Sequence, residues 1–193
     1  MVASYKHVIM VKEVTWEKPQ QPFLKLNTDG SALNNPGKNG GGGIVRDYQG
    51  NMIYAFTIPL GIGTNNQEKI QAVSHGLDWC IQHRYRKIHL EVDLELVIHL
   101  LSNQTNYPWN LQPYIREIHR IVHQLERFKI THVYREANNT ADRLSKYSHN
   151  TDIVQHFYIK DQLPTLARGS FILEKLGMAN FRRKKLKRIK KPP

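Results

Sequence analysis

The sequence predicts a mixed α/β fold built on a five-stranded mixed sheet. Two kinds of hydrophobic spacing support this prediction, because alternating apolar residues are typical of strands and apolar residues every three or four positions are typical of helices. Along the chain these segments follow the order β-β-β-α-β-α-α-β-α. This order implies helices packed on the faces of the sheet.

The first three strands follow one another closely. Residues 23–29 alternate between apolar and polar side chains and end in Asp29. Residues 30–43 are rich in turn-forming residues, and the segments 43–47 and 52–58 predict a hairpin. We therefore expect three consecutive antiparallel strands.

Helical spacing begins after the third strand. Ile70, Val73, Leu77 and Cys80 are separated by three or four positions and mark the apolar side of a helix. The later segments predict a helix at 67–84, a strand at 87–93, helices at 94–101 and 111–125, and a strand at 129–135. A last helix begins at Asn138, which is a good N-cap residue.

The chain of 193 residues is long enough for one domain with a core and for extensions at its ends. We place an N-terminal linker at 1–22, which ends in Pro and Gln residues, and the folded domain at 23–147. A C-terminal extension with a short helix follows at 148–180, and a basic tail predicted to be disordered covers 181–193. We expect a monomer.

Basic residues are concentrated at the C-terminus. Segment 181–193 holds eight basic residues and no acidic one, namely Arg182, Arg183, Lys184, Lys185, Lys187, Arg188, Lys190 and Lys191. Taking these eight charges from the net charge of +12 leaves +4 on the rest of the chain. Such a block is typical of a nuclear-localisation signal or a sequence-independent phosphate binder, and it can also be a solvated chain end. The positive charge favours polyanions as partners.

Several other classes of protein are disfavoured. No apolar run approaches the roughly 20 residues that span a bilayer, so we expect no membrane partner. The first residues lack the apolar core and cleavage site of a signal peptide, so secretion is not indicated. The single cysteine, Cys80, indicates a buried apolar residue and a reducing compartment, and we expect a nuclear or cytoplasmic protein.

Three aspartates occur in contexts that could carry chemistry. Asp29 ends the first strand, Asp93 ends the fourth strand, and Asp142 lies on the last helix. Each alone has an ordinary explanation, since Asp-Gly forms turns, a strand-end Asp caps the next helix, and a helical Asp is usually solvated. Carboxylates from separate elements can also converge on two divalent metals, which cleave a phosphodiester by activating water and stabilising the leaving oxygen.

Taken together, these contexts resemble the type 1 ribonuclease H family, particularly the plant reverse-transcriptase-like branch found in retroelement-derived proteins. The resemblance covers about 23–147 and rests on LKLNTDGSALNNPG, TNNQ, HLEVD and VYREANNTAD, in matching order and separation. It implies a ribonuclease H-like fold and an endonuclease that hydrolyses the RNA strand of an RNA/DNA hybrid with Mg²⁺ or Mn²⁺. Asp29, Asp93 and Asp142 would be the catalytic metal ligands.

The resemblance also implies a nucleic-acid-binding surface for an RNA/DNA hybrid or another duplex. The family positions are matched here by Gly30, Ser31, Asn35, Thr64, Asn65, Asn66 and Arg135. Short neutral side chains can donate and accept hydrogen bonds at RNA 2′-hydroxyls. The alternatives are turn formation by the asparagines, helix capping by Thr64 or Asn66, and a surface ion pair for Arg135.

One position departs from the family pattern. The family carries a catalytic Glu early in the first helix, and the gap-free register places Lys69 there. The neighbouring Glu68 should point elsewhere, because one step along a helix rotates a side chain by about 100°. A metal ligand is lost and a cation is added, so the two-metal site should be impaired, and Lys69 could pair with Asp29 or Asp93. Lys69 could also be an exposed lysine without a role.

Three hypotheses remain open from the sequence. The first is a hybrid-cleaving ribonuclease weakened by Lys69, and the second is a catalytically inactive nucleic-acid-binding module. The third is an interaction protein whose tail is only a nuclear address. Two features lie outside these hypotheses: the glycine run 40–43 lacks the Gly-Lys-Ser/Thr of a phosphate-binding loop and predicts close strand packing, and His132 lies within a strand.

Overall fold

The computed structural model describes residues 8–34, 36–102 and 108–186. Its strands are β1 (Val8–Val14), β2 (Leu24–Ala32), β3 (Gly37–Arg46), β4 (Met52–Gly63), β5 (Lys87–Val92), β6 (Arg127–His132), β7 (Gln155–Phe157) and β8 (Asn180–Leu186). Its helices are α1 (Asn65–Gln82), α2 (Glu95–Ser102), α3 (Gln112–Val122), α4 (Asn139–Tyr147) and α5 (Thr165–Lys175). From β2 to α4 the elements follow the predicted order, which is thereby confirmed.

Six strands form the main sheet in the order β6-β5-β2-β3-β4-β7. β5 is parallel to both β2 and β6, whereas β3 is antiparallel to β2 and β4, and β7 is antiparallel to β4. The predicted mixed sheet is confirmed, but the edge strand β7 makes six strands where five were predicted. β7 has only 3 residues, too few for an alternating pattern to be recognised in the sequence.

Each face of the sheet carries its own hydrophobic core. Val45 faces the larger core, where α1 and α3 cover the sheet and where the predicted buried residue Cys80 lies. The adjacent Ile44 faces the other side, where it packs with Leu144 of α4 and Phe171 of α5. The two neighbours enter different cores because side chains alternate along a strand. Within the described ranges, no helix is both long and apolar enough to cross a membrane.

The glycine run lies in β3 and lets α4 approach the sheet closely. Segment 30–43 was predicted to be turn-rich, but β2 continues to Ala32 and β3 already begins at Gly37. A Cβ atom added at Gly42 would lie 2.3 Å from the backbone nitrogen of Ser145. The expected close packing is therefore present, although it is a helix rather than a strand that packs on these glycines.

The predictions for the two chain ends were wrong in part. The predicted linker contains β1, and the predicted disordered tail contains most of β8. These strands pair antiparallel from Val8 with Leu186 to Val14 with Asn180, and we call them the β1–β8 ribbon. Each strand lacks a nearby partner in the sequence, so local patterns could not reveal the pairing. The tail residues Lys187, Arg188, Lys190 and Lys191 lie outside the described residues.

The C-terminal extension is part of the packed fold. The predicted short helix is α5, and its Glu174 forms a buried ion pair with Arg46 of β3, at 2.6 Å. Glu174 also accepts hydrogen bonds from the backbone nitrogen of Thr140, at 3.0 Å, and from its hydroxyl, at 2.7 Å. Since Thr140 lies in the first turn of α4, the extension supports that helix, and the core continues past the predicted boundary at residue 147.

Candidate functional site

The three aspartates predicted from the sequence converge at one end of the sheet. β2 and β5 are parallel neighbours with Thr28 paired to Val92, so Asp29 and Asp93 follow at the same end of both strands. Asp142 lies in the first turn of α4, which packs on β2 and β3. Asp29 and Asp142 are buried, with only 2% and 4% of their surface exposed.

Lys69 of α1 lies between two of these carboxylates. Its Nζ atom is 2.5 Å from Oδ1 of Asp29 and 2.6 Å from Oδ1 of Asp93. The lysine side chain is 19% exposed, so most of it is enclosed while one side still reaches solvent. Lys69 is therefore not a free surface lysine, and its ammonium group bridges Asp29 of β2 and Asp93, which directly follows β5.

Asp142 has two cationic partners of its own. The guanidinium group of Arg135 donates two hydrogen bonds to Oδ1, at 2.6 and 3.1 Å, and Nζ of Lys146 donates to Oδ2 at 2.6 Å. Arg135 lies on a short 3₁₀ turn at Arg135–Ala137, and Lys146 lies one helical turn after Asp142. The side chains of Arg135 and Lys146 are 62% and 45% exposed, so this part of the cluster is open.

Burial and neighbouring charges shift the pKa values of this cluster. Burial raises the pKa of Asp29 to about 6, Lys69 opposes the rise, and Asp93 and Asp142 add to it. Burial acts to lower the pKa of Lys69, but the carboxylates of Asp29 and Asp93 outweigh it, so the pKa is raised. Lys69 therefore carries its positive charge at neutral pH.

The carboxylates do not fit a two-metal site as they stand. Two divalent cations need oxygen ligands that are free to coordinate, whereas each aspartate here binds an ammonium or guanidinium group. Among the residues that the structure describes, no group of three or more His, Cys, Asp or Glu side chains could hold a metal ion. Three cations face three carboxylates, which makes the cluster formally neutral.

Glu68 does not take the place of the missing glutamate, but it lies nearby. It is 2% exposed and packs under Gly30, where an added Cβ atom would lie 2.1 Å from Cγ of Glu68. Its Oε2 atom is buried and has no hydrogen-bond partner within the described part of the chain. Burial raises the pKa of Glu68 to about 7, with Lys69 opposing and Asp29 reinforcing the rise.

The predicted nucleic-acid-binding residues that the structure describes lie around the start of α1 and the end of β2. The backbone nitrogen of Gly30 donates to Asp29 at 2.8 Å, and the hydroxyl of Ser31 lies 3.1 Å from Nε2 of His149. Thr64 is the N-cap of α1, and its backbone nitrogen donates to Gln67 at 3.0 Å. The capping alternative is thus present for Thr64.

The remaining predicted contacts can be located only in part. Asn66 lies in the first turn of α1 and is half-buried, and Arg135 forms the ion pair with Asp142 described above. Asn35 and the side chain of Asn65 lie outside the described residues. His132 ends β6, as its strand pattern predicted, and its ring packs edge-on against Tyr134.

A family model described as reverse transcriptase-like matches residues 27–148, which is more than half of the chain. The chain belongs to the reverse transcriptase-like family. A relative from Arabidopsis thaliana, named "Putative ribonuclease H protein", is 29% identical over 175 residues. This alignment covers 90% of the chain but only 28% of the relative, so the chain spans little more than a quarter of that protein.

Solved ribonucleases H share the fold of this reverse transcriptase-like domain. RNase H1 from the archaeon Halobacterium salinarum is 23% identical, with a TM-score of 0.63 over 66% of this chain and 97% of the archaeal chain. LC11-RNase H1, isolated from compost and solved in complex with an RNA/DNA hybrid, is 25% identical with a TM-score of 0.57. The match covers 63% of this chain and 92% of the LC11-RNase H1 chain. The ribonuclease H-like fold is therefore confirmed.

The roles of three residues near the candidate site were not predicted from the sequence. Lys146 could have been found, because it lies four positions after Asp142 on the same helix. Asn138 was recognised only as a cap, yet its Nδ2 donates to the backbone oxygen of Thr28 at 3.0 Å and fixes α4 against β2. His149 gave no indication in the sequence, because its contact with β2 depends on the tertiary fold.

Proposed function

We propose that this domain binds an RNA/DNA hybrid at the candidate site and that Lys69 suppresses the metal-dependent cleavage of its RNA strand. The observation that carries the proposal is the ammonium group of Lys69, bonded at once to Asp29 and Asp93. The related LC11-RNase H1, solved with an RNA/DNA hybrid, supports the choice of partner.

The charge balance of the site favours a duplex that binds without metal. Three unpaired carboxylates would repel a phosphodiester until divalent cations neutralised them. Here Lys69, Arg135 and Lys146 supply three positive charges against the three aspartates. A phosphate group can therefore approach this end of the sheet without Mg²⁺, and hybrid binding should persist when divalent cations are removed.

The same arrangement disfavours hydrolysis. A two-metal reaction needs one metal to activate water and another to stabilise the leaving oxygen. Asp29 and Asp93 would have to exchange the Lys69 ammonium group for a metal, in a place where a further acidic ligand is missing. Loss of several kcal/mol of transition-state stabilisation corresponds to a rate lowered by about 100-fold or more. Binding and cleavage are thus separable in this domain.

The residues that we expect to meet the duplex lie on the two elements that carry Asp29 and Lys69. Gly30 and Ser31 lie near the end of β2, Thr64 is the N-cap of α1, and Asn66 lies in the first turn of α1. Backbone groups and short polar side chains of this kind suit the wide minor groove of an RNA-containing duplex, where 2′-hydroxyls are displayed. Arg135, which is largely exposed, would face a backbone phosphate on the Asp142 side.

The test compares hybrid binding and cleavage by the native protein, Lys69→Glu and Lys69→Met. We expect the native protein to bind hybrid equally in Mg²⁺ and in chelator and to leave the RNA uncut. Lys69→Glu should make binding depend on Mg²⁺ and should bring cleavage, since it replaces the cation with a carboxylate. Lys69→Met is the matched control, because it removes the charge without adding a ligand.

Two outcomes would overturn the proposal. Robust cleavage by the native protein, abolished by Asp29→Asn, would show that Lys69 does not suppress the chemistry. Absence of hybrid binding by a folded native protein would show that the site is not a duplex-binding surface. Thermal unfolding of each variant establishes that a loss of binding is not a loss of structure.

A further inference from the structure

The β1–β8 ribbon is a separate, basic surface beside the main sheet. β8 carries four consecutive basic residues, and β1 carries one basic and one acidic residue: Arg182, Arg183, Lys184, Lys185, Lys12 and Glu13. From the end of β8 the chain continues with four further basic residues, at 187, 188, 190 and 191. Four of the eight basic residues of the chain end therefore belong to a paired strand.

The ribbon is anchored on the turn that belongs to the candidate site. The Lys12 ammonium group lies 4.8 Å from the ring centroid of Tyr134, and the Arg182 guanidinium group lies 4.5 Å from the same centroid. Arg182 also forms an ion pair with Glu136 at 3.3 Å. Arg135 lies between these two anchor residues in the chain. The ribbon therefore adjoins the end of the candidate site where Arg135 lies.

The part of the ribbon beyond this anchor is open to solvent. Val11 and Phe181 are 58% and 63% exposed, and Arg183 and Lys184 are also exposed. The register pairs Val11 with Arg183 and Glu13 with Phe181, so these four side chains share one face of the ribbon. An exposed face that combines arginine with an aromatic ring can contact phosphates and stack against bases.

We propose that the β1–β8 ribbon contacts the phosphate backbone of the duplex beyond the candidate site and so lengthens the duplex-binding surface. The inference rests on the proposed function, since it concerns the same bound duplex. Charge complementarity identifies the occupant, because β8 carries basic residues at four consecutive positions, which matches a polyanion. Lysine is depleted in the centre of protein–protein interfaces, which disfavours a second copy of the chain as the occupant.

The test uses one short hybrid, which covers only the candidate site, and one long hybrid, which extends past the ribbon. The ribbon variant is Arg183→Glu, because Arg183 shares the exposed face with Phe181, whereas the register places Lys184 on the opposite face with Lys12 and Arg182. The matched control is Arg127→Glu, which makes the same change in net charge at another exposed position. Arg127 begins β6 at the end of the sheet opposite to Asp93.

We expect the ribbon variant to lose about tenfold in affinity for the long hybrid and to keep its affinity for the short one. The slope of log affinity against log salt should fall by about 1, because one phosphate contact is removed. The control should bind both hybrids like the native protein. Titration of each variant over a range of salt concentrations provides both quantities.

The outcomes separate the two proposals. If the short hybrid binds but ribbon and control variants behave alike on the long hybrid, the ribbon proposal is overturned and the proposed function stands. If the native protein binds only the long hybrid and the ribbon variant loses it, the ribbon proposal stands and the candidate site is not the main binding surface. A native dimer that Val11→Asp dissociates, with unchanged hybrid affinity, would make the ribbon a protein interface.

Discussion

Two lysine–carboxylate clusters lie on the same face of the sheet and differ in how completely the protein encloses them. In the inner cluster, Lys25 is 2% exposed and donates to Glu91 and to the backbone oxygen of Glu17, each at 2.6 Å. The second oxygen of Glu91 accepts from Asn27 at 3.0 Å, and Asn27 in turn accepts from the indole of Trp16. This cluster is enclosed by protein groups and has a structural role.

The outer cluster joins Lys69 to Asp29 and Asp93 at the end of the sheet. Burial lowers the pKa of Lys25 despite Glu91, whereas two carboxylates outweigh burial and raise the pKa of Lys69. Burial therefore lowers the pKa of the lysine in the closed cluster, whereas the two carboxylates raise the pKa of the lysine in the cluster that reaches solvent. Position within the sheet, rather than the residue types, separates the structural cluster from the candidate functional one.

The largest expected effect comes from breaking the inner cluster. Glu91→Gln leaves the Lys25 ammonium group buried without a counter-charge, and we expect a loss of about 3–5 kcal/mol in the free energy of unfolding. Urea denaturation measures it. Glu126→Gln is the control, since Glu126 is 61% exposed and lies 3.4 Å from Lys87. That change should cost less than about 1 kcal/mol, and equal losses would contradict the comparison.

A smaller change in the free energy of unfolding, and a stabilising one, is expected when Glu68 beside the outer cluster is replaced. Its pKa is raised to about 7 from an ordinary value of 4.5, so its stabilising contribution is complete below about pH 4.5 and is lost as the pH rises through 7. Glu68→Gln removes the buried carboxylate. Above about pH 8 the variant should be more stable than the native protein by about 1–3 kcal/mol, and the two should converge at low pH.

Denaturation at a series of pH values measures this difference. Glu95→Gln is the matched control, because Glu95 also lies in the first turn of a helix but is exposed. A Glu68→Gln curve that runs parallel to the native curve at every pH would show that Glu68 is not a buried titrating group. Hybrid binding by the same variant shows whether the ionised carboxylate matters to the site.

Much of the fold could be predicted because its patterns are local. The apolar spacing from Ile70 to Cys80 predicted α1 within two residues at each end, and the strict alternation before Asp93 predicted β5 within one residue. Interactions between distant segments were missed for the converse reason. β1 and β8 are paired although about 170 residues separate them, and the sequence pattern of one strand does not indicate the other as its partner.

The residues of the candidate site also divide into those that local patterns predict and those that depend on contacts between distant segments. The sequence predicted three aspartates at a possible common site, and Asp29, Asp93 and Asp142 do converge, although Asp29 lies within β2, which continues to Ala32, and not at its end as predicted. It indicated Lys69 through the register of α1 but left its partner open. Glu68 could not be predicted, since its burial depends on the absence of a side chain at Gly30, which allows α1 to approach β2 closely.

The smallest expected change in the free energy of unfolding concerns the exposed ion pairs of Asp142, which adjoin the outer cluster. Burial acts to raise the pKa of Asp142, but hydrogen bonds from Lys146 and Arg135 outweigh it, so the pKa is lowered. The stability this provides is present above the unfolded value of 3.8 and is lost as the pH falls. Replacing both cations, with Arg135→Gln and Lys146→Gln, should cost about 1 kcal/mol or less at neutral pH, because both are largely exposed.

This double variant tests whether the exposure of Arg135 and Lys146 keeps their contribution to the free energy of unfolding small. The carboxyl carbon of Asp142, followed by NMR during a pH titration, should show a pKa above the ordinary 3.8 once the two cations are removed, because only burial then acts. The difference in unfolding free energy from the native protein should shrink as the pH falls below that value. A loss as large as that of Glu91→Gln would mean that the outer cluster is as closed as the inner one, and a site so closed could not admit a phosphate group.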